Sequence, residues 1–109
     1  MQRYQPAKLV RLHLGERDRY QGQPLYEAIL DACRQRDIAG ATVFRGLEGF
    51  GESAAIHRPR LLGHDLPIVI QIVDSPANIA SLLPVLEEML DKGMIAVSDV
   101  TALRIQKNA

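Results

Sequence analysis

Two stretches with a 3.6-residue apolar repeat, set among four of strand character, predict an α+β fold. Their order, strand–helix–strand–strand–helix–strand, is that of the ferredoxin-like βαββαβ arrangement, an antiparallel four-stranded sheet with two helices on one face. The chain has 109 residues, 47% of them hydrophobic. That fits a single domain spanning 1–109 with a core of its own.

The first strand is expected over Lys8–Leu14, with Val10, Leu12 and Leu14 on one face and Leu9, Arg11 and His13 on the other. Gly15 to Gln23 reads as a polar turn, and Pro24 suits the first turn of a helix because its missing N–H is not needed there. Leu25, Ile29, Ala32 and Cys33 recur at helical spacing, with Tyr26 and Ala28 beside them, so the first helix is expected to run to about Asp37. Gly40 suits the left-handed position that closes a helix.

Thr42, Val43 and Phe44 are strand formers, and the second strand is expected over Ala41–Glu48. Gly49-Phe50-Gly51 leaves it, where two glycines permit close backbone approach to a ligand or positive φ. A polar loop, Gly51 to Asp65, carries Glu52, His57, Arg58, Arg60 and His64. The third strand, Leu66–Asp74, is almost continuously apolar. Ser75-Pro76 pairs an N-cap residue with a proline at the first helical position. Ile79, Leu82, Leu83, Leu86, Met89 and Leu90 form the second helical stripe, interrupted by Pro84 and ended by Gly93. The last strand is read in two pieces, Ile95–Val97 and Val100–Ile105, with a break near Ser98-Asp99.

Two helices can cover only one face of such a sheet. Val69, Val73 and Leu9 are nevertheless apolar on the other face. An uncovered apolar face marks an interface, so a homo-oligomer that buries it is expected.

Thirteen basic and thirteen acidic residues cancel. Neutrality argues against a nucleic-acid partner, which would be held through many phosphate contacts. Cys33 is the only cysteine, so no internal disulfide is expected, and it reads as a small core residue. Met1 to Ala7 has no apolar run of signal-peptide type, and no segment approaches the ~20 apolar residues that span a bilayer. A cytoplasmic protein is expected.

Read together, four motifs carry a resemblance to a known superfamily. They are Gly40-Ala41-Thr42-Val43 followed by Gly49-Phe50-Gly51; Arg45-Gly46 just before those glycines; Leu66-Pro67 leading into Ile68 to Asp74; and Ile95 to Val100 followed by Arg104-Ile105. Leu25 to Leu30 adds a matching first helix. In this order the chain resembles the PII signalling superfamily, and within it the uncharacterised PII-like branch. The resemblance implies a homotrimer with an adenine nucleotide in clefts between subunits. It also implies a regulatory role toward a partner such as a membrane transporter, a channel or an enzyme, with the 51–65 loop as the output element. The loop here has no tyrosine, and the lysine-bearing glycine loop before the last strand is reduced to Asp91-Lys92-Gly93-Met94. AMP, ADP or a cyclic nucleotide is therefore expected in preference to ATP.

The candidate nucleotide-binding residues are Arg45, Gly49, Phe50, Gly51, Arg58, Lys92, Gly93 and Arg104. The glycines offer backbone donors, Phe50 an aromatic wall, and the cations a means to hold phosphate oxygens. Arg45 also has a plainer reading as the partner of an acid, and Lys92 as a cation at a helix C-terminus. His57 and His64 lie without metal-site spacing, so no metal is expected. There is no nucleophile elbow, HExxH, P-loop or Cys–His pair, so no catalytic residue is assigned. Two alternatives remain open: a small ferredoxin-like enzyme with Glu48, Glu52 and His57 at a subunit cleft, and a ligand-free trimeric adaptor.

Overall fold

The computed structural model describes residues 3–50, 56–57 and 65–107. Strand β1 runs Gln5–Gly15, and Val10, Leu12 and Leu14 are buried while Arg11 and His13 are exposed. A small hairpin follows, β2 (Arg19–Tyr20) against β3 (Gln23–Pro24). Its two-residue turn has φ of 46° at Gln21 and 84° at Gly22, the doubly positive pair of a type I′ turn. Pro24 closes the hairpin in extended conformation and caps helix α1, Leu25–Gln35, instead of occupying its first turn. The Leu25 amide donates to the Asp18 carbonyl at 2.8 Å. Leu25, Ala28, Ile29 and Cys33 face the core. Burial pushes the Cys33 thiol pKa up, as befits a packing residue.

The end of α1 departs from expectation. Asp37, not Gly40, takes the left-handed position, with φ 55°. The Ile38 amide donates to the Cys33 carbonyl at 3.0 Å and the Asp37 amide to Arg34 at 3.1 Å. That pair of bonds is a Schellman closure three residues before the glycine, with half-buried Ile38 packing against the core. Asp tolerates αL because its short polar chain can bond locally.

Strand β4 is Ala41–Arg45, and the chain leaves it before Glu48. Gly49–Phe50 forms a separate short strand β5, paired with β6 at Ile56–His57. Most of the 51–65 loop, with Gly51, Glu52, Arg58, Arg60 and His64, lies outside the described residues. Strand β7, Pro67–Asp74, alternates as read, with Ile68, Ile70 and Ile72 buried and Val69 and Val73 half-buried. Helix α2 spans Pro76–Met89, and the Ser75 hydroxyl accepts from the Asn78 amide at 3.2 Å. It runs through Pro84 because that residue and Ala80, whose carbonyl loses its partner, both face solvent. The helix ends at Met89, and Gly93 serves the following turn at φ 112°. An added Cβ on Gly93 would lie 2.5 Å from the His13 carbonyl oxygen. Glycine is therefore required there by packing as well as by torsion.

Strand β8 is continuous over Met94–Ala102, so the break expected near Ser98-Asp99 does not occur. Ser98 pairs with Leu9, and the Asp99 carboxylate meets Lys8 opposite it. A neighbouring strand supplies what the local sequence lacks. The sheet order is β4-β7-β1-β8, antiparallel throughout. The core lies between one sheet face (Val10, Leu12, Ile68, Ile70, Ile72) and both helices (Ile29, Ile79, Leu82, Leu86). Leu9, Val69 and Val73 lie half-buried on the opposite face, beside Phe44 at 49% exposure.

Candidate functional site

The ends of the sheet differ in what they gather. At one end β1 begins, β7 finishes, β4 starts and β8 runs out. Ala39, Gly40, Thr42, Val73, Asp74 and Arg104 line an open groove of about 640 Å³ there, of the size that holds a nucleotide-sized ligand. Asp74 organises this end. Its carboxylate accepts from the amides of Ala39 at 2.8 Å and Ser75 at 2.6 Å, and from Asn78 Nδ2 at 3.0 Å. It thus ties the α1–β4 connection to the first turn of α2. Desolvation pushes the Asp74 pKa up, but the two amides, Asn78 and the charge of Arg104 together bring it below the ordinary carboxylate value.

At the other end β1 finishes and β7 begins. The Gly46 amide donates to the Pro67 carbonyl at 2.7 Å. An added Cβ on Gly46 would stand 2.7 Å from Pro67 Cγ, so the exit of β4 packs directly on the strand that returns from the loop. Gly49 sits against the same proline ring without needing positive φ. Phe50 is 76% exposed. Arg45, opposite Ile68 and so on the helix side of the sheet, bonds Glu16 Oε2 at 2.6 Å. Lys92 Nζ lies 4.0 Å from Asp18 Oδ1.

The structure therefore brings Arg45, Gly49, Phe50, Lys92 and Gly93 to one end and leaves Arg104 at the other. From the Lys8–Asp74 pair to the Gly15–Pro67 pair is seven steps of β1, roughly 24 Å at about 3.4 Å per residue. Gly51 and Arg58 lie outside the described residues. Sequence reasoning missed Asp74, Glu16 and Asp18. Asp74 carried a local signal, an acid just before a Ser-Pro helix start; the other two were submerged in a polar turn. Among the described residues no group of three His, Cys, Asp or Glu is arranged to hold a metal. No helix among them is long and apolar enough to cross a membrane.

This split-βαβ sheet is the fold of PII-like proteins. It superposes on CPII of Thiomonas intermedia K12, a nitrogen regulatory PII-like protein solved bound to ADP, AMP and bicarbonate. That match has a TM-score of 0.68 at 20% identity and covers 93% of this chain and 92% of that one. The DUF190 family model, described as Uncharacterized ACR, matches residues 7–102, and the chain belongs to that family. It is 34% identical over 100 residues to a UPF0166 protein of Aquifex aeolicus, covering 88% of this chain and 92% of the relative. It is also 34% identical over 95 residues to one of Methanocaldococcus jannaschii, covering 85% and 88%. The family shown is thus an uncharacterised one, and the likeness to PII-like proteins that the sequence suggests holds here as a likeness of fold.

Proposed function

We propose that this protein is a PII-like regulatory module. It binds an adenine nucleotide in clefts between the subunits of a homotrimer and acts on a partner protein through the 51–65 loop. The observation that carries the reading is the division of the candidate residues between the two ends of the sheet. Arg104 and the groove beside Asp74 sit roughly 24 Å from the cluster of Gly49, Phe50, Lys92 and Gly93. One chain cannot close both around a single nucleotide. Two chains can, when the groove end of one meets the loop end of the next. The half-buried Leu9, Val69 and Val73 on the open sheet face supply an apolar surface for that association. The adenine nucleotides held by CPII support the ligand class.

Within this reading Arg104 and Lys92 hold phosphate oxygens, the Gly49 backbone approaches the ligand, and Phe50 covers it. The partner, a membrane transporter, a channel or an enzyme, responds to the arrangement of the loop. Calorimetric titration with AMP, ADP, ATP and a cyclic nucleotide tests the ligand, and sedimentation at micromolar concentration tests the trimer. Binding of AMP, ADP or the cyclic nucleotide ahead of ATP is expected. No binding of any of them by a folded trimer would leave the adaptor reading in its place, and turnover of the bound nucleotide would favour the enzyme.

A further inference from the structure

Arg45 and Lys92, two of the candidate cations at the loop end, are both already met by carboxylates, and both carboxylates come from one short turn. Glu16 takes Arg45 at 2.6 Å, and Asp18 stands 4.0 Å from Lys92. The same turn grips the returning end of the loop. The Glu16 amide donates to the Leu66 carbonyl at 2.8 Å, and the Arg17 amide to Asp65 Oδ1 at 2.9 Å. Asp18 is held in place by the Gly15 amide at 2.9 Å.

The Glu16 pair is incompletely satisfied. The side chain is 19% exposed, and Oε1 is buried without a hydrogen-bond partner among the described residues. A buried carboxylate oxygen with no donor is costly, so this carboxylate is held less firmly than a fully bonded one. A phosphate offers Arg45 more acceptor oxygens and more charge than a carboxylate does, in a geometry suited to the guanidinium fork.

We propose that the Glu16–Asp18 turn is an internal competitor for the anionic ligand. Its carboxylates occupy Arg45 and Lys92 in the free protein, and a nucleotide phosphate displaces Glu16 from Arg45. Displacement removes the ion pair that ties the departing end of the loop, at Arg45, to the turn that holds its returning end, at Leu66 and Asp65. Ligand occupancy is thereby passed to the loop mouth through one exchange of anions on one arginine. The inference rests on the nucleotide reading above and adds to it the device by which binding is sensed.

The experiment is titration of ADP into four folded proteins, the wild type, Glu16→Gln, Arg45→Ala and the double variant, with thermal unfolding to check each fold. Removing the competing charge while keeping the side-chain shape should tighten ADP binding about tenfold in Glu16→Gln. The gain should vanish in the Arg45→Ala background, because the competitor acts only through that arginine. Should Glu16→Gln fail to fold, Glu16→Asp keeps the charge but withdraws it by one methylene and should also tighten binding. Equal or weaker binding by the Glu16 variants, with the wild type still binding, overturns the competitor while leaving the nucleotide site standing. A gain that persists without Arg45 overturns it as well. No ADP binding by any of the four removes the nucleotide reading and the competitor with it.

Discussion

The two ends of the sheet are built from the same strands and solve opposite problems. At the loop end two cations face carboxylates of the same chain, Arg45 with Glu16 and Lys92 near Asp18, and the chain is in close contact with itself at Gly46–Pro67 and Gly93–His13. At the groove end the strands border an open space of about 640 Å³, and Asp74 there accepts from backbone amides and Asn78 rather than from Arg104. Arg104 reaches Asp74 through its field and faces the groove. A packed, charge-paired end suits a structure that must be released to act. An open end with an exposed arginine suits a surface completed by something from outside.

The sharpest way to break the comparison is to disturb the packed end where it is tightest. Gly93→Ala places a Cβ 2.5 Å from the His13 carbonyl oxygen and asks alanine to hold φ 112°. Backbone meets backbone there, and β1 is a central strand that cannot yield. A loss of about 3 kcal/mol or more is expected, read as a lower urea midpoint. An unchanged midpoint would mean that the β8 turn is looser than the geometry indicates. The same alanine at Gly40, where an added Cβ meets nothing within 4 Å and φ is not positive, should cost far less.

At the open end the matching test removes the arginine. Arg104→Ala should weaken ADP binding by roughly one to two orders of magnitude, since a hydrogen bond to a charged group is worth about 1.5–3 kcal/mol. The melting temperature should barely move. Calorimetry and a thermal scan of the same preparations check both halves. A large stability loss with unaltered affinity would make Arg104 a structural residue.

Asp74 sharpens the comparison further, because it is the groove end's own structural anchor. Asp74→Ala removes three accepted hydrogen bonds at once and should cost about 1–2 kcal/mol. Its acid dependence has a fixed sign. The folded-state pKa lies below the ordinary carboxylate value, so this contribution is fully present above the unfolded value of about 3.9. It is lost as pH falls through the lower folded value. The wild type and Asp74→Ala should therefore differ in stability at pH 7 and converge in strong acid. A constant difference down to pH 2 would contradict the assignment.

The smallest expected effect lies at the Schellman closure before the groove. Asp37 holds φ 55° with a side chain that glycine would not need. Asp37→Gly should change stability by a few tenths of a kcal/mol to about 1 kcal/mol in the favourable direction, local strain relief being offset by the freer unfolded chain. A small rise in melting temperature checks it.

The sequence by itself determined the four strands, the two helices and which strand faces are buried. Alternation at Val10, Leu12, Leu14 and at Ile68, Ile70, Ile72 allows only one face to enter the core. Ser75-Pro76 marks the start of α2 by chemistry local to two residues. The motif order also pointed to the family. Tertiary structure decided what depends on neighbours far along the chain. Ser98-Asp99 stays in β8 because Leu9 and Lys8 pair with it, and α1 stops at Asp37 where Ile38 can reach the core. It also decided the geometry of the candidate site. Local pattern records that Arg45, Lys92 and Arg104 are cations. Which of them meets a carboxylate, and which lies some seven strand residues away beside an open groove, is set by antiparallel register, a relation between segments as far apart as Gln5 and Ala102 that no short window of sequence contains.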